Sequence, residues 1–314
     1  MLSRRSLLAT LPAAVTGAAP ARAASPGQLR IELQKGEPLL VAARQNRAFE
    51  TLLEPLGIEV KWLEFEFGPP LLEAMQAGAI DIGATGDAPP VFAQAAHADI
   101  VYIAARPDSG NSYAILLPPG STLRTLADLR GKRIAFGRGS SSHSLTLAAL
   151  EKAGLAYSDI KPVTLGPADA AAAFEHGDLD AWTIWDPYAA ITEGRPGVRA
   201  LARTRDIGPQ NNFYLANRTY AGSNGALIGR IVQNIVRTGE WCDAHPTEVA
   251  QLLASGTGIP LAAWRLAVAR GSFRSVPIDD TVLQQQQIVA DRFTAARLIP
   301  GAVNVRDYAW RAAS

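Results

Sequence analysis

The chain has 314 residues, of which 48% are hydrophobic and 19% are charged. This length suits two packed lobes, and the composition is that of a globular protein with a sizeable core. The formal net charge is +1. A chain this close to neutral has no overall electrostatic field that would attract nucleic acid or an anionic membrane.

The first 23 residues have the pattern of an export signal. Arg4 and Arg5 precede an apolar run over residues 7–19, and Ala21-Arg22-Ala23 has the small-x-small cleavage pattern. The segment resembles a twin-arginine signal, with a general-secretion signal as the alternative. Cleavage near Ala23 removes three arginines and no acid, which leaves 27 basic and 29 acidic residues. We expect an exported protein that resides in the periplasm.

Beyond the signal, short strand patterns alternate with helical runs that end at glycine. The predicted strands are 29–33, 58–62, 80–83, 100–105, 133–136, 160–165 and 181–184. The predicted helices between them are 38–56, 71–77, 88–96, 142–153 and 168–175. After about Gly225 the chain is predicted to be helical over 225–243, 247–254, 261–270 and 280–297. The alternation predicts βαβ units, and hence an α/β fold with mainly parallel sheets.

Two extended segments are candidates for crossings between lobes. Residues 113–117 follow a loop over 107–110, and residues 213–216 follow a loop over 206–210. If both segments cross, lobe I comprises 28–112 plus 217–314 and lobe II comprises 113–216. The alternative is that both are ordinary sheet strands.

Residues 137–143, Gly-Arg-Gly-Ser-Ser-Ser-His, follow a predicted strand and open a predicted helix. Helix N-termini expose unpaired N–H groups and a positive dipole end, which together bind anions. Glycine lets the backbone approach a ligand closely, and serine hydroxyls add donors. We therefore expect Gly139, Ser140, Ser141 and His143 to contact a small anionic ligand. The alternative is a serine that only caps the helix.

Two further strand-to-helix junctions contain an aspartate with proline close behind. These are Thr85-Gly86-Asp87 and Trp185-Asp186. Because Asp is a preferred N-cap, we expect Asp87 and Asp186 to cap helices, and to contact a ligand only if it also carries an amine.

Three other side chains complete the candidate binding residues. Gln34 ends the first strand, where open α/β sheets place ligand-contacting side chains. Trp185 could line a cleft against an aliphatic chain or fill the core. Asn212 is the third candidate, directly before the second extended segment.

The sequence contains no recognisable catalytic or metal-binding constellation. The four histidines are scattered without zinc-ligand spacing, and Gly-x-Ser-x-Gly is absent. Cys242 is the only cysteine and lies in the helix-rich C-terminal part. We expect a non-catalytic binding protein without a cofactor or metal.

Six motifs carry a resemblance to a known family. They are Gln34-Lys35-Gly36, residues 68–74 (GPPLLEA), 85–90 (TGDAPP), 128–132 (DLRGK), 157–160 (YSDI) and 184–188 (IWDPY). Over nearly its whole mature length the chain resembles the aliphatic sulfonate-binding proteins of ABC importers. The resemblance implies a type II periplasmic binding protein fold, in which two α/β lobes are joined by two crossings. It also implies a ligand between the lobes, held by Gln34, the Thr85-Gly86 turn, the helix start at 139–141 and Trp185.

The resemblance further implies a monomer that hands an alkanesulfonate to a permease and an ATPase. The chain departs from the family where a Gly-Ser-Asn loop is common, since it has Gly139-Ser140-Ser141, and where Asp87 replaces a common glutamate. The alternatives are a receptor for taurine, nitrate or a thiamine pyrimidine precursor, and a sulfinate desulfinase on the same fold. For the desulfinase, Cys242 is the only available thiol.

Overall fold

Two five-stranded sheets organise the chain. The computed structural model describes residues 27–311, so the predicted signal at 1–23 lies outside the described residues. The strands, in chain order, are β1 (Gln28–Leu33), β2 (Glu59–Glu64), β3 (Ile82–Gly86), β4 (Ile100–Pro107), β5 (Tyr113–Leu117), β6 (Arg133–Phe136), β7 (Lys161–Thr164), β8 (Ala181–Trp185), β9 (Arg199–Arg203) and β10 (Asn211–Asn217).

Thirteen α-helices are assigned within the described residues. They are α1 (Pro38–Gln45), α2 (Ala48–Leu53), α3 (Gly68–Gln76), α4 (Ala88–Ala95), α5 (Ser141–Lys152), α6 (Pro167–Glu175), α7 (Tyr188–Glu193), α8 (Thr204–Ile207), α9 (Arg218–Ser223), α10 (Gly225–Ala244), α11 (Pro246–Thr257), α12 (Leu261–Arg270) and α13 (Asp280–Ala295). Over this same part of the chain, no helix is long and apolar enough to cross a membrane.

The two sheets have the same plan. The strand order is β2-β1-β3-β10-β4 in the first sheet and β7-β6-β8-β5-β9 in the second. In each sheet the fourth strand of this order, β10 or β5, runs antiparallel to both of its neighbours. The pairs β1–β2, β1–β3, β6–β7 and β6–β8 are parallel. The expected α/β fold with mainly parallel sheets is confirmed.

Each sheet with its helices forms one lobe. The first lobe contains the first sheet with α1–α4 and α9–α13, and the second lobe contains the second sheet with α5–α8. Every residue of β3 and β5 is buried, because helices cover both faces of the central strands. The α10, α11 and α12 helices build the core of the first lobe around α1, with Trp264 and Ile235 fully buried.

The positions of the crossings differ from the prediction. Residues 113–117 and 213–216 are ordinary sheet strands, and the chain crosses in the segments before them, at 108–112 and 208–210. Residues 211–216 therefore belong to the first sheet and not to a second lobe that extends to 216. The reason is that β10 pairs with both β3 and β4. Without β10, the facing edges of these two strands would have no hydrogen-bonding partner.

Most predicted elements have the expected type, with two kinds of difference. The predicted helix over 38–56 is interrupted at Arg47, whose φ of 53° lies in the left-handed region. Strand β9 and the short helices α8 and α9 have no counterpart in the prediction, whereas α7 begins where a helix was expected after Asp186. Helices of four to six residues are too short to establish a hydrophobic period.

The packing of α10 gives a test of the fold. A methyl group on Gly239 would lie 2.3 Å from the backbone oxygen of Phe273, whereas a methyl group on Gly229 of the same helix meets nothing within 4 Å. Gly239→Ala should lower the free energy of unfolding by roughly 1–3 kcal/mol through overpacking. Gly229→Ala should raise it by up to about 1 kcal/mol, because alanine favours the helix.

Urea unfolding of both variants measures this difference. Equal stabilisation by the two substitutions would contradict the close packing of α10 against the segment at 273.

A polar cleft between the two lobes

A cavity lies where the two lobes meet. The carboxyl ends of β1 and β3 reach it from the first lobe, and the start of α5 reaches it from the second. Seven of the eleven predicted binding residues line it. They are Gln34, Thr85, Gly86, Ser140, Ser141, Trp185 and Asn212.

The turn before α5 lies at this cavity, where Ser140 and Ser141 are among the lining residues. Strand β6 ends at Phe136, and Gly139 has a φ of 67°, which glycine adopts without strain. Ser140 is extended, and α5 begins at Ser141. The N–H groups of Ser141 and Ser142 lie in the first turn, where a helix has no internal acceptor for them. They are available to a ligand.

The three serine hydroxyls of this turn have different roles. Ser140 Oγ donates to the carbonyl oxygen of Gly137 at 2.7 Å and lies 2.7 Å from Ser142 Oγ. Ser142 Oγ also accepts from Gly137 N at 3.3 Å. These two hydroxyls therefore brace the turn. Ser141 instead faces the first lobe, since a methyl group on Gly86 would lie 1.6 Å from its Oγ.

His143 supports the turn from behind and is not among the residues that line the cavity. Its Nδ1 accepts from Gly139 N at 3.2 Å. Its ring stacks on Phe136 with centroids 4.6 Å apart and meets the edge of Phe293, a first-lobe residue, at 5.1 Å. Burial lowers the pKa of the imidazole to about 3. The ring is therefore neutral, and its Nδ1 can accept the hydrogen bond from Gly139 N. His143 and Gly139 thus bond to each other and do not line this cavity, and their expected ligand contacts stay predictions.

Asp87 joins the two lobes. Its carboxylate accepts from Ser144 Oγ of α5 at 2.7 Å and from Gln210 Nε2 at 3.2 Å. Burial raises the pKa of this carboxyl to about 6, against the opposing effect of those hydrogen bonds. The carboxylate of Asp87 therefore bonds to residues outside its own lobe. The sequence had instead predicted that it caps a helix or contacts an amine on the ligand.

Asp186 is also committed to the opposite lobe. Its Oδ2 accepts from Arg270 Nε of α12 at 2.7 Å, and Arg270 also pairs with Glu193. Asp186 Oδ1 accepts from Ala190 N at 3.1 Å, which agrees with the expected role at a helix start. The ion pair with Arg270 also neutralises the carboxylate. Asp186 therefore links the two lobes in addition to capping the helix.

Two more contacts close the cleft. Tyr113 Oη donates to Asn212 Oδ1 at 2.6 Å, and Gln210 Nε2 donates to the carbonyl oxygen of Ser141 at 3.0 Å. Trp185 lies against the first lobe, since a methyl group on Gly36 would be 2.7 Å from its Nε1. The two lobes are in direct contact around the cavity, which is a closed arrangement.

Beneath the cleft lies a buried carboxyl that the sequence reasoning missed. Glu32 accepts from Ala84 N at 3.0 Å and from Gln34 Nε2 at 3.1 Å. Gln34 Nε2 also donates to the carbonyl oxygen of Ala84 at 2.9 Å, so the amide nitrogen of Gln34 is already used inside the protein. Burial and the nearby Glu37 raise the pKa of Glu32 to about 8. Alternation within β1 identifies Glu32 only as an outward residue and gives no sign of this burial.

Six residues that line the cavity were also missed, namely Gly36, Glu37, Gly68, Ala84, Pro89 and Tyr113. Both glycines occur in motifs of the resemblance, but no contact was assigned to them. A methyl group on Gly68 would lie 2.0 Å from Thr85 Oγ1, so its role is to let the start of α3 approach β3. Such a role depends on tertiary contact and leaves no local pattern.

The residues around the cavity offer hydrogen bonds and no reactive group. Cys242 is buried in α10 and does not line the cavity, and burial raises the pKa of its thiol to about 12. Between residues 27 and 311, His, Cys, Asp and Glu form no group of three that could hold a metal ion.

Comparison with known proteins places this geometry in a family. Residues 54–249 match the family model described as NMT1/THI5 like. The structure is similar to the periplasmic aliphatic sulphonate binding protein SsuA from Escherichia coli, with 39% identity, a TM-score of 0.84, and coverage of 92% of this chain and 94% of that one. It is also similar to the alkanesulfonate-binding protein SsuA from Xanthomonas axonopodis pv. citri bound to MOPS, with 40% identity, a TM-score of 0.86, and coverage of 92% and 100%.

A taurine-binding periplasmic protein of Escherichia coli (strain K12) is a more distant relative. It is 30% identical over 71% of this chain and 71% of its own length.

The buried Glu32 predicts a pH dependence of stability. Its pKa rises from an ordinary 4.5 to about 8 in the folded protein, so the folded state holds a proton that the unfolded chain releases between these values. The stability that this proton contributes is lost as the pH rises, and the loss levels off above about 8. Between pH 6.5 and 9 the wild-type free energy of unfolding should fall by about 2 kcal/mol more than that of Glu32→Gln.

Urea unfolding at the two pH values tests this expectation, with Glu73→Gln at an exposed site as the control. An identical pH dependence in wild type and Glu32→Gln would show that Glu32 does not titrate in this range.

Proposed function

The chain belongs to the NMT1/THI5 like family, among the aliphatic sulfonate-binding proteins, and we propose that it captures an alkanesulfonate between its lobes. It then delivers this ligand to the permease and ATPase of an ABC importer. The relatives that are 39–40% identical to the chain are binding proteins, in agreement with the expectation from the sequence.

The start of α5 inside the closed cleft is the observation that carries this proposal. A sulfonate presents three oxygens, and the N–H groups of Ser141 and Ser142 with the Ser141 hydroxyl provide three donors on one turn. The helix dipole adds about 0.3–1 kcal/mol at a surface and up to about 2 kcal/mol when partly buried. A micromolar affinity requires about 8 kcal/mol, so the donors must act together with the exclusion of water.

The charges around the cleft favour an alkyl tail over the aminoalkyl tail of taurine. An ammonium group needs an unpaired carboxylate, but Asp87, Asp186 and Glu37 are each bonded to another side chain. A second cavity adjoins the first, and its lining includes Trp264, Val268 and Phe273, which suits an alkyl tail that nitrate lacks. Both features support an alkanesulfonate.

The desulfinase alternative lacks a nucleophile at the cleft. Cys242 lies in α10 within the hydrophobic core of the first lobe, and its raised thiol pKa disfavours the reactive thiolate. We retain the binding protein as the proposed function.

We also propose a periplasmic monomer. The relatives that match along most of the chain are periplasmic proteins, and the export signal at 1–23 would be cleaved near Ala23. The faces of the two lobes would meet the permease together only when the cleft is closed.

Calorimetric titration tests the proposed function. The mature protein, unfolded and refolded to remove any retained ligand, is titrated with propane-1-sulfonate, pentane-1-sulfonate, taurine, sulfate and nitrate. We expect micromolar or tighter binding of the alkanesulfonates, and at least tenfold weaker binding of the other three, because sulfate and nitrate have no tail and the ammonium group of taurine finds no unpaired carboxylate. Failure of both alkanesulfonates to bind, or tighter binding of nitrate or taurine, would contradict the proposal.

Closure around the ligand predicts the effect of a methyl group on Gly86. Gly86→Ala should weaken pentane-1-sulfonate binding at least tenfold, about 1.4 kcal/mol, because the new methyl group meets Ser141 and holds the lobes apart. In a Ser141→Gly background the same substitution should have less than a threefold effect. Gly222→Ala, with nothing within 4 Å, is the control.

A double-mutant cycle by titration isolates this coupling. Equal effects of Gly86→Ala in both backgrounds would show that the bound state does not bring Gly86 against Ser141.

A further inference from the structure

A buried carboxyl lies beneath the first cavity, the one between the lobes. Glu32 of β1 is 0% exposed. Its Oε1 accepts from Ala84 N at 3.0 Å, and its Oε2 accepts from Gln34 Nε2 at 3.1 Å. Ala84 and Gln34 both line the first cavity. The carboxyl of Glu32 is therefore one hydrogen bond away from residues that would surround a ligand.

The packing around Glu32 is apolar where α3 covers the sheet. A methyl group on Gly83 would lie 3.0 Å from Glu32 Cγ and 2.9 Å from Leu71 Cδ2, so the stem of Glu32 and Leu71 of α3 pack over the same position of β3. In the neighbouring strand β2, Leu63 is the residue in register with Glu32. These neighbours provide no counter-charge for a carboxylate, and desolvation therefore favours the protonated form.

The charged neighbours of Glu32 make its ionisation less favourable still. Glu37, at the entry to α1, repels a charge on Glu32. Glu37 Oε2 accepts from Arg106 Nη2 of β4 at 3.0 Å, and Glu37 Oε1 accepts from Tyr214 Oη of β10 at 3.5 Å. The guanidinium is thus engaged by Glu37 rather than by Glu32. Burial and Glu37 together raise the pKa of Glu32 to about 8, so near neutral pH this carboxyl holds a proton.

A bound anion would act on Glu32 in the same direction as Glu37. The described residues that line the first cavity include no lysine or arginine, so the charge of a sulfonate would be met by N–H and O–H dipoles and not cancelled by a cation there. A like charge close by disfavours the ionised form of a carboxyl. By reciprocal linkage, a protonated Glu32 must then favour the anion by the same factor.

We propose that Glu32 couples ligand binding to protonation, so that the first cavity takes its anion together with a proton on the Glu32 carboxyl. This inference rests on the proposed function and adds to it a regulation of the same site by pH. Where the free protein already holds the proton, binding takes up none. At alkaline pH the free protein has released it, so binding of the anion draws a proton from the buffer onto Glu32 and the affinity is lower.

Calorimetric titration with pentane-1-sulfonate tests the coupling, because this probe stays ionised at every pH used. The wild-type affinity should be at least threefold lower at pH 9 than at pH 6.5. At pH 8.5, titrations in two buffers of different ionisation enthalpy should reveal a net uptake of roughly half a proton per ligand. An equal affinity at both pH values, without proton uptake, would overturn the inference and leave the receptor function intact. Failure to bind at either pH would instead refute the proposed function.

Two substitutions of Glu32 assign the effect to its ionisation. Glu32→Gln keeps an oxygen that can accept from Ala84 N, whereas Glu32→Met keeps only the length of the side chain. In both variants the affinity should change less than 1.5-fold between pH 6.5 and 9, and the proton uptake should vanish, because neither side chain titrates. This ratio holds even where a substitution changes the affinity itself. Glu73→Gln, at an exposed site outside the first cavity, is the control and should retain the wild-type pH dependence.

Retention of the wild-type pH dependence in either folded variant would overturn the assignment to Glu32. A change of affinity confined to pH values below 7 would point instead to Asp87, whose pKa is about 6, and would also contradict the inference. The wild-type titrations decide whether the coupling exists even if a variant does not fold.

Discussion

The first-turn N–H groups of α5 are the constraint on which the rest of the cleft depends. A helix cannot satisfy them internally, and a closed cleft limits their access to bulk water, so we propose that a ligand oxygen completes them. The hydroxyls of Ser140 and Ser142 and the imidazole of His143 are used to hold the turn in position. The turn is therefore preorganised, and little ordering is left for the moment of binding.

The closed cleft meets a negative charge with dipoles and neutral donors. The residues that line the first cavity include no lysine or arginine. Charged groups near it are instead paired across or behind the cleft, as with Arg270 and Asp186 or Arg106 and Glu37. These ion pairs neutralise the charges in the walls of the cleft, and the pair between Arg270 and Asp186 also holds the two lobes together. This pairing also explains why the shape of the tail, rather than its charge, would select among ligands.

The sequence predicted those features that depend on local chemistry. The strand–turn–helix pattern at 133–153 predicted the turn that lies at the cleft, because glycine, serine and helix start signals all act within a few residues. The roles of Asp87, Asp186 and His143 were not predictable in the same way, since Ser144, Arg270 and Phe293 lie 57, 84 and 150 residues away along the chain. The second crossing was misplaced for a related reason. Nothing local in residues 211–216 indicates that they insert between β3 and β4.

The central claim is that the α5 turn takes the place of water around a sulfonate head. A crystal structure of the mature protein with pentane-1-sulfonate tests it most directly. The account predicts sulfonate oxygens about 2.7–3.2 Å from the backbone nitrogens of Ser141 and Ser142, with the alkyl chain directed toward Trp264. A sulfonate group located in the second cavity, or on the outer surface away from the α5 turn, would contradict it.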